Sequence, residues 1–167
     1  RRSMVISEHE RKTTAYHEAG HALVAWQLPN HDPIHKVTII PRGPALGLTM
    51  ALPEEDRQSY SSDWVNDRIA MALGGRLAEE VVFGQLTTGA ADDFKKATQL
   101  ARSMVTEWGM STNLGPLSYV EKEEGGFLGQ TYHKDYSEQT AKEIDDEVRR
   151  IINAQYDRAK AVIEEHR

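Results

Sequence analysis

Two histidines four residues apart, His17 and His21, flank an acid in the stretch His17-Glu18-Ala19-Gly20-His21. This spacing is chemically useful only on a helix. At 3.6 residues per turn, positions four apart differ by about 40° around the axis, so both imidazoles face one point in space. There they can bind one Zn²⁺ together, with Glu18 beside them to take a proton from a metal-bound water. The segment must therefore stay helical, and its neighbours agree. Ser7 with Glu10 three residues later reads as a capping box, and Pro29-Asn30 marks the far end. Tyr16, Ala19, Leu23 and Trp26 follow helical spacing and are expected to face the core, with His17 and His21 on an adjacent stripe. Gly20 costs a helix about 0.5–1 kcal/mol relative to Ala, which implies close approach of something to the backbone there.

At 167 residues the chain has room for one domain with a real core, or one domain with a helical appendage. The net charge of −6 argues against nucleic acid as the main partner. Without cysteine, neither disulfides nor thiolate-bound zinc is available. No apolar run reaches the length of a membrane span and no signal peptide is visible. The opening Arg1-Arg2 in place of Met suggests an excised or processed piece, itself soluble, of a longer parent.

The first helix is followed by Ile34 to Ile40, rich in β-branched residues, the turn Pro41-Arg42-Gly43-Pro44, and alternating Leu46, Leu48, Met50 and Leu52. This predicts a β-hairpin bounded by Pro41 and Pro53, with Gly47 in its second strand leaving backbone open for pairing. A second helix is expected from Asp63, as N-cap, to Phe83-Gly84, burying Trp64, Ile69, Leu73, Leu77 and Val81. Gly74-Gly75 in its middle suggests tight packing or a kink. Thr87-Thr88-Gly89 leads to a third helix ending near Trp108-Gly109, with Asp92 and Asp93 placed for capping. Leu117 to Val120 and Phe127 to Gly129 suggest two short strands around the acidic turn from Glu121 to Gly126. A last long helix, Ser137 to Glu165, carries Ile144, Val148, Ile151, Gln155, Ala159 and Val162 in one stripe. The fold class is mainly α, a helical domain over residues 1–167 with a small β-hairpin or sheet and a long C-terminal helix. No G-x-x-x-x-G-K loop occurs, so the chain itself is not expected to bind ATP.

A catalytic zinc commonly takes three protein ligands and keeps one open position. Val24 and Gln27 stand where the extended H-E-x-x-H-x-x-G-x-x-H pattern needs Gly and His, which excludes that class. Glu79 and Glu80 on the second helix, Asp92 and Asp93 opening the third, and His31, His35, His133 and His166 remain. Between Glu79 and Asp93, spacing alone does not choose; whichever does not ligate can orient an imidazole from behind. A zinc hydrolase of small molecules, or a module holding zinc structurally, shares much of this pattern. Glu18 speaks against the second, since a structural site needs no base.

The stretches Thr13 to Leu23, Gly75 to Glu80, Thr87 to Phe94 and Met104 to Ser111 resemble, in order, the FtsH family of membrane-anchored, ATP-dependent AAA+ zinc proteases. The resemblance covers essentially the whole chain and implies its C-terminal peptidase domain. It implies one Zn²⁺ per subunit on His17, His21 and Asp93, Glu18 as the catalytic glutamate, and Glu79 close behind the metal. Many members carry Asn where this chain has Asp92. A mostly helical domain with a small β element is implied. So is a homo-hexamer below an ATPase ring, with ATP and the membrane engaged only by parts absent here. The implied substrates are unfolded, unassembled or short-lived polypeptides. The implied location of the parent is the bacterial inner membrane with this domain in the cytoplasm, or alternatively an organelle inner membrane.

Overall fold

A computed structural model describes residues 5–40, 47–51, 59–123, 131–133 and 136–166. Helix α1 spans Glu8–Gln27, α2 Ser62–Phe83, α3 Ala91–Thr106 and α4 Glu138–Glu165; strands β1 (Ile34–Thr38) and β2 (Leu48–Ala51) follow α1. Short strands β3 (Glu121–Glu123) and β4 (Thr131–His133) separate α3 from α4. Helix α2 is central and packs against α1, α3 and α4. Its Ile69, Leu73 and Leu77 have no exposed surface, and they join Val24 and Leu28 of α1, Ala101 and Val105 of α3, and Ile144, Ile151 and Ala159 of α4 in one core. The fold is mainly α, as the helical spacings predict.

The helix ends follow local chemistry. Ser7, Ser61 and Ser137 each accept a hydrogen bond from a backbone N–H three residues on, satisfying one orphan donor of the first turn. Helix α2 thus starts on Ser61, with Asp63 in its first turn, where a carboxylate suits the helix dipole. Leu28, held extended by the following Pro29, ends α1, and Gly84 in the left-handed conformation ends α2.

The stripe expected to bury α1 is rotated. Trp26 is 76% exposed and Tyr16 40%, and Ala19 is also exposed; the buried positions are His17, Glu18, Gly20, His21, Val24 and Ala25. Backbone contact decides the face. A Cβ built on Gly20 would lie 2.3 Å from the carbonyl oxygen of Gly74, and one on Gly74 would lie 2.7 Å from that of Gly20. The two helices cross glycine on glycine, and the histidines of the same stripe turn inward. Helix α2 runs unbroken through Gly74-Gly75, so the pair serves close packing.

Strands β1 and β2 form the expected antiparallel hairpin, with Thr38 opposite Leu48 and Val37 opposite Thr49. Gly47 immediately precedes β2, and the predicted turn Pro41 to Pro44, with Leu46, Leu52 and Pro53, lies outside the described residues. The segment Leu117 to Val120 is not a strand. The Tyr119 N–H instead closes onto the Thr106 carbonyl at the end of α3, and pairing begins only at Glu121 with His133. Phe127 to Gly129 lies outside the described residues. Helix α4 buries its stripe against α2 and α3 within the chain, with Ile163 more deeply buried than Val162.

Candidate metal centre

Three elements meet at one point. Helix α1 brings His17 and His21, α2 brings Glu79 and the Met71 carbonyl, and the start of α3 brings Asp93. His17 Nε2 lies 3.0 Å from His21 Nε2 and 2.9 Å from Asp93 Oδ2, and His21 Nε2 lies 3.2 Å from the same oxygen. Behind the rings, His21 Nδ1 is 2.7 Å from the Met71 carbonyl and His17 Nδ1 is 2.9 Å from Glu79 Oε2. Glu79 is buried, and its other oxygen accepts from the Thr87 hydroxyl at 2.7 Å. The Thr87 carbonyl in turn accepts from Arg76, whose guanidinium lies over the Phe94 ring.

These partners fix the tautomers. A carbonyl only accepts, so His21 Nδ1 carries the hydrogen and the neutral ring turns a lone pair toward the centre from Nε2. Glu79 imposes the same on His17. Two nitrogen lone pairs and a carboxylate oxygen then converge on a space bounded by contacts of about 3 Å. Three acceptors this close repel one another unless positive charge lies among them. The donor set, two imidazoles each backed by an outer partner and one carboxylate, fits Zn²⁺. Among the described residues, His17, His21 and Asp93 form a group whose ligand atoms all lie within 4.8 Å of one another.

The electrostatics of the protein alone show the same demand. Burial favours a neutral His17 ring, but hydrogen bonds and charge from Asp93 and Glu79 outweigh it and raise its pKa. Burial also favours a protonated Asp93, yet in the protein alone, where protons on His17 and His21 take the place of a metal's charge, their hydrogen bonds and charge hold its carboxyl well below the ordinary carboxylate range.

The small residue at position 75 makes the geometry possible. A Cβ on Gly75 would lie 2.5 Å from His17 Nε2 and 2.6 Å from His21 Nε2, inside the space where the nitrogens point. Glu18, also buried, accepts from the Thr49 hydroxyl of β2 at 2.6 Å. The expected capping role of the acids opening α3 is not observed. The N-cap is Ala90 with no side-chain cap bond, Asp93 faces the histidines, and Asp92 pairs with Lys96 one turn on. The other candidates have the following places. Glu80 accepts from the Tyr156 hydroxyl, His31 bonds the Asp32 carbonyl, His35 is on β1, His133 is in β4, and His166 caps α4. The roles of the Met71 carbonyl, Thr49 and Thr87 carry no spacing signal in the sequence. Gly75 does, as half of a glycine pair inside a helix.

The model of peptidase family M41 matches residues 4–167. The chain belongs to this family. Its relatives include proteins named ATP-dependent zinc metalloprotease FtsH. FtsH 4 of Sorangium cellulosum is 58% identical over the whole chain, and FtsH of Magnetococcus marinus is 60% identical over 98% of it. FtsH 3 of Symbiobacterium thermophilum is 54% identical over the whole chain. The chain spans about a quarter of the length of these relatives. No helix among the described residues is long and apolar enough to cross a membrane.

Proposed function

We propose that residues 1–167 form a single zinc endopeptidase domain, with His17, His21 and Asp93 as the ligands and Glu18 as the general base. The convergence of three acceptor atoms beside a buried glutamate carries this reading. Zn²⁺, when bound, lowers the pKa of water toward 7 and polarises a carbonyl. Glu18 takes the proton from the attacking water and returns it to the departing amine. Glu79 and the Met71 carbonyl hold the two imidazoles in the tautomer that leaves Nε2 free to ligate.

The substrate is an extended polypeptide. Strand β2 pairs with β1 on one side, and its other edge has no strand partner among the described residues. Backbone pairing there accepts many sequences, which suits unfolded or unassembled proteins. As the relatives' names suggest, the parent couples this domain to ATP hydrolysis, which this chain lacks the phosphate loop to perform. Homo-hexameric assembly, and anchoring in the bacterial inner membrane with this domain in the cytoplasm, complete the proposal for the parent.

The deciding experiment is Glu18→Gln. The amide keeps the shape but cannot accept the proton, so peptide cleavage falls by about 10²–10⁴-fold or more while zinc stays stoichiometric. Near-normal turnover in the zinc-loaded variant would refute the role of Glu18. Cleavage of small esters but of no peptide would favour the small-molecule hydrolase instead.

A further inference from the structure

Strand β2 touches Glu18 in two places. A Cβ on Gly47 would lie 2.9 Å from Glu18 Cγ, so the backbone entering the strand rests on the stem of this side chain. Two residues later the Thr49 hydroxyl stands 2.6 Å from Glu18 Oε2 and 2.9 Å from the Glu18 carbonyl oxygen. Both neighbours accept and the hydroxyl has one hydrogen. The carboxylate oxygen, at the shorter distance, is the stronger acceptor and takes it. Among the described residues no other hydrogen bond reaches that carboxylate.

We propose that Thr49 is a positioning residue for the general base: its hydroxyl fixes the rotation of the Glu18 carboxylate so that Oε1 faces the reacting water. The proposal rests on the reading of Glu18 as the base. It also makes the strand that pairs with the substrate and the group that takes the proton one mechanical unit. A peptide seated on β2 steadies Thr49, and through it Glu18.

Thr49→Val keeps the β-branched shape and removes the hydroxyl, whereas Thr49→Ser keeps the hydroxyl and removes the methyl. In the zinc-loaded protein, Thr49→Val is expected to lower kcat about tenfold with KM and zinc stoichiometry unchanged, and Thr49→Ser to stay near wild type. Thr49→Ala gives the same split and replaces the valine variant should the latter not fold. In the zinc-free protein, the ¹³C resonance of the Glu18 carboxyl carbon is expected to move in Thr49→Val and not in Thr49→Ser. A wild-type kcat in Thr49→Val, a change confined to KM, or equal damage in the serine variant would overturn the proposal and leave Thr49 as an anchor of the hairpin. Glu18→Gln runs alongside. If that variant is active, the base itself is misassigned; if it is inactive while Thr49→Val is normal, only the role of Thr49 falls.

Discussion

Replacing Gly20 with alanine tests the glycine-on-glycine crossing that sets α1 against α2. On an isolated helix the change is favourable by about 0.5–1 kcal/mol, because alanine loses less backbone entropy. In this protein the new methyl would sit 2.3 Å from the Gly74 carbonyl oxygen and 2.6 Å from the Ala78 Cβ. Ordinary contact begins at 3.4 Å, so relief requires about 1 Å of helix separation, and neither obstacle is the end of a flexible chain. Overpacking of this kind costs about 1–3 kcal/mol and can exceed that against backbone. The clash wins. The expected net loss is about 1–2 kcal/mol, a fall in Tm of about 2–8 °C for a chain of this size. Equilibrium urea unfolding should be done on metal-stripped protein, because bound zinc adds its own stabilisation by mass action. Zinc affinity should fall as well, since the imidazoles ride on α1 and their Nδ1 partners on α2. An alanine variant as stable as wild type, or more so, would refute the close crossing.

Asp93→Ala should abolish or greatly weaken zinc binding in chelator competition, while Glu79→Ala, which leaves the three proposed ligands in place, should weaken it by about 10–100-fold. The reverse order would make Glu79 the ligand. Gly75→Ala should leave helix α2 formed by circular dichroism yet lose stoichiometric zinc, because its methyl enters the space of both Nε2 atoms. The pH dependence of stability has a separate handle at Glu147, whose carboxyl is held down at about 2 by hydrogen bonds from Arg150, Asn113 and Ser111. With the folded value below the unfolded one, its contribution is present above about pH 4.5 and is lost as pH falls toward 2. Glu147→Gln should therefore flatten the urea-derived unfolding free energy against pH over that window, by about 1–2 kcal/mol after allowing for the exposed Arg150 side chain.

The helices, the Ser7 cap and the hairpin are legible in the sequence because each rests on neighbours within a few residues, whereas the cap of α2 is Ser61 in place of the expected Asp63. The face that α1 buries is not. Tyr16 and Trp26 have the larger apolar side chains, and a count of hydrophobicity selects their stripe, whereas the crossing selects the stripe with Gly20. Asp93 illustrates a related limit. At the start of a helix a carboxylate has a local use in capping, and only the approach of α1 reveals the other use. Beyond Glu79, the outer partners are the least legible. Thr87 lies 70 residues from His17 in sequence, and the Met71 carbonyl belongs to a backbone that every residue possesses.

The unequal nature of the two imidazole supports bears on how this site can change by mutation. His17 leans on a side chain, so one base change in a codon can remove its partner at Glu79. His21 leans on a main-chain carbonyl that no substitution at residue 71 deletes, leaving that side chain free of any demand from the site and held only by its packing against the core. The freedom is borrowed from one turn further on. A helical carbonyl points toward the residue four positions ahead, here Gly75, and any side chain there would shade the oxygen as well as crowd the nitrogens. Mutational tolerance along α2 should therefore differ from turn to turn, open to other apolar side chains at 71, closed at 75 and closed at 79, and a deep mutational scan would read it as three adjacent turns of one helix under unlike constraint.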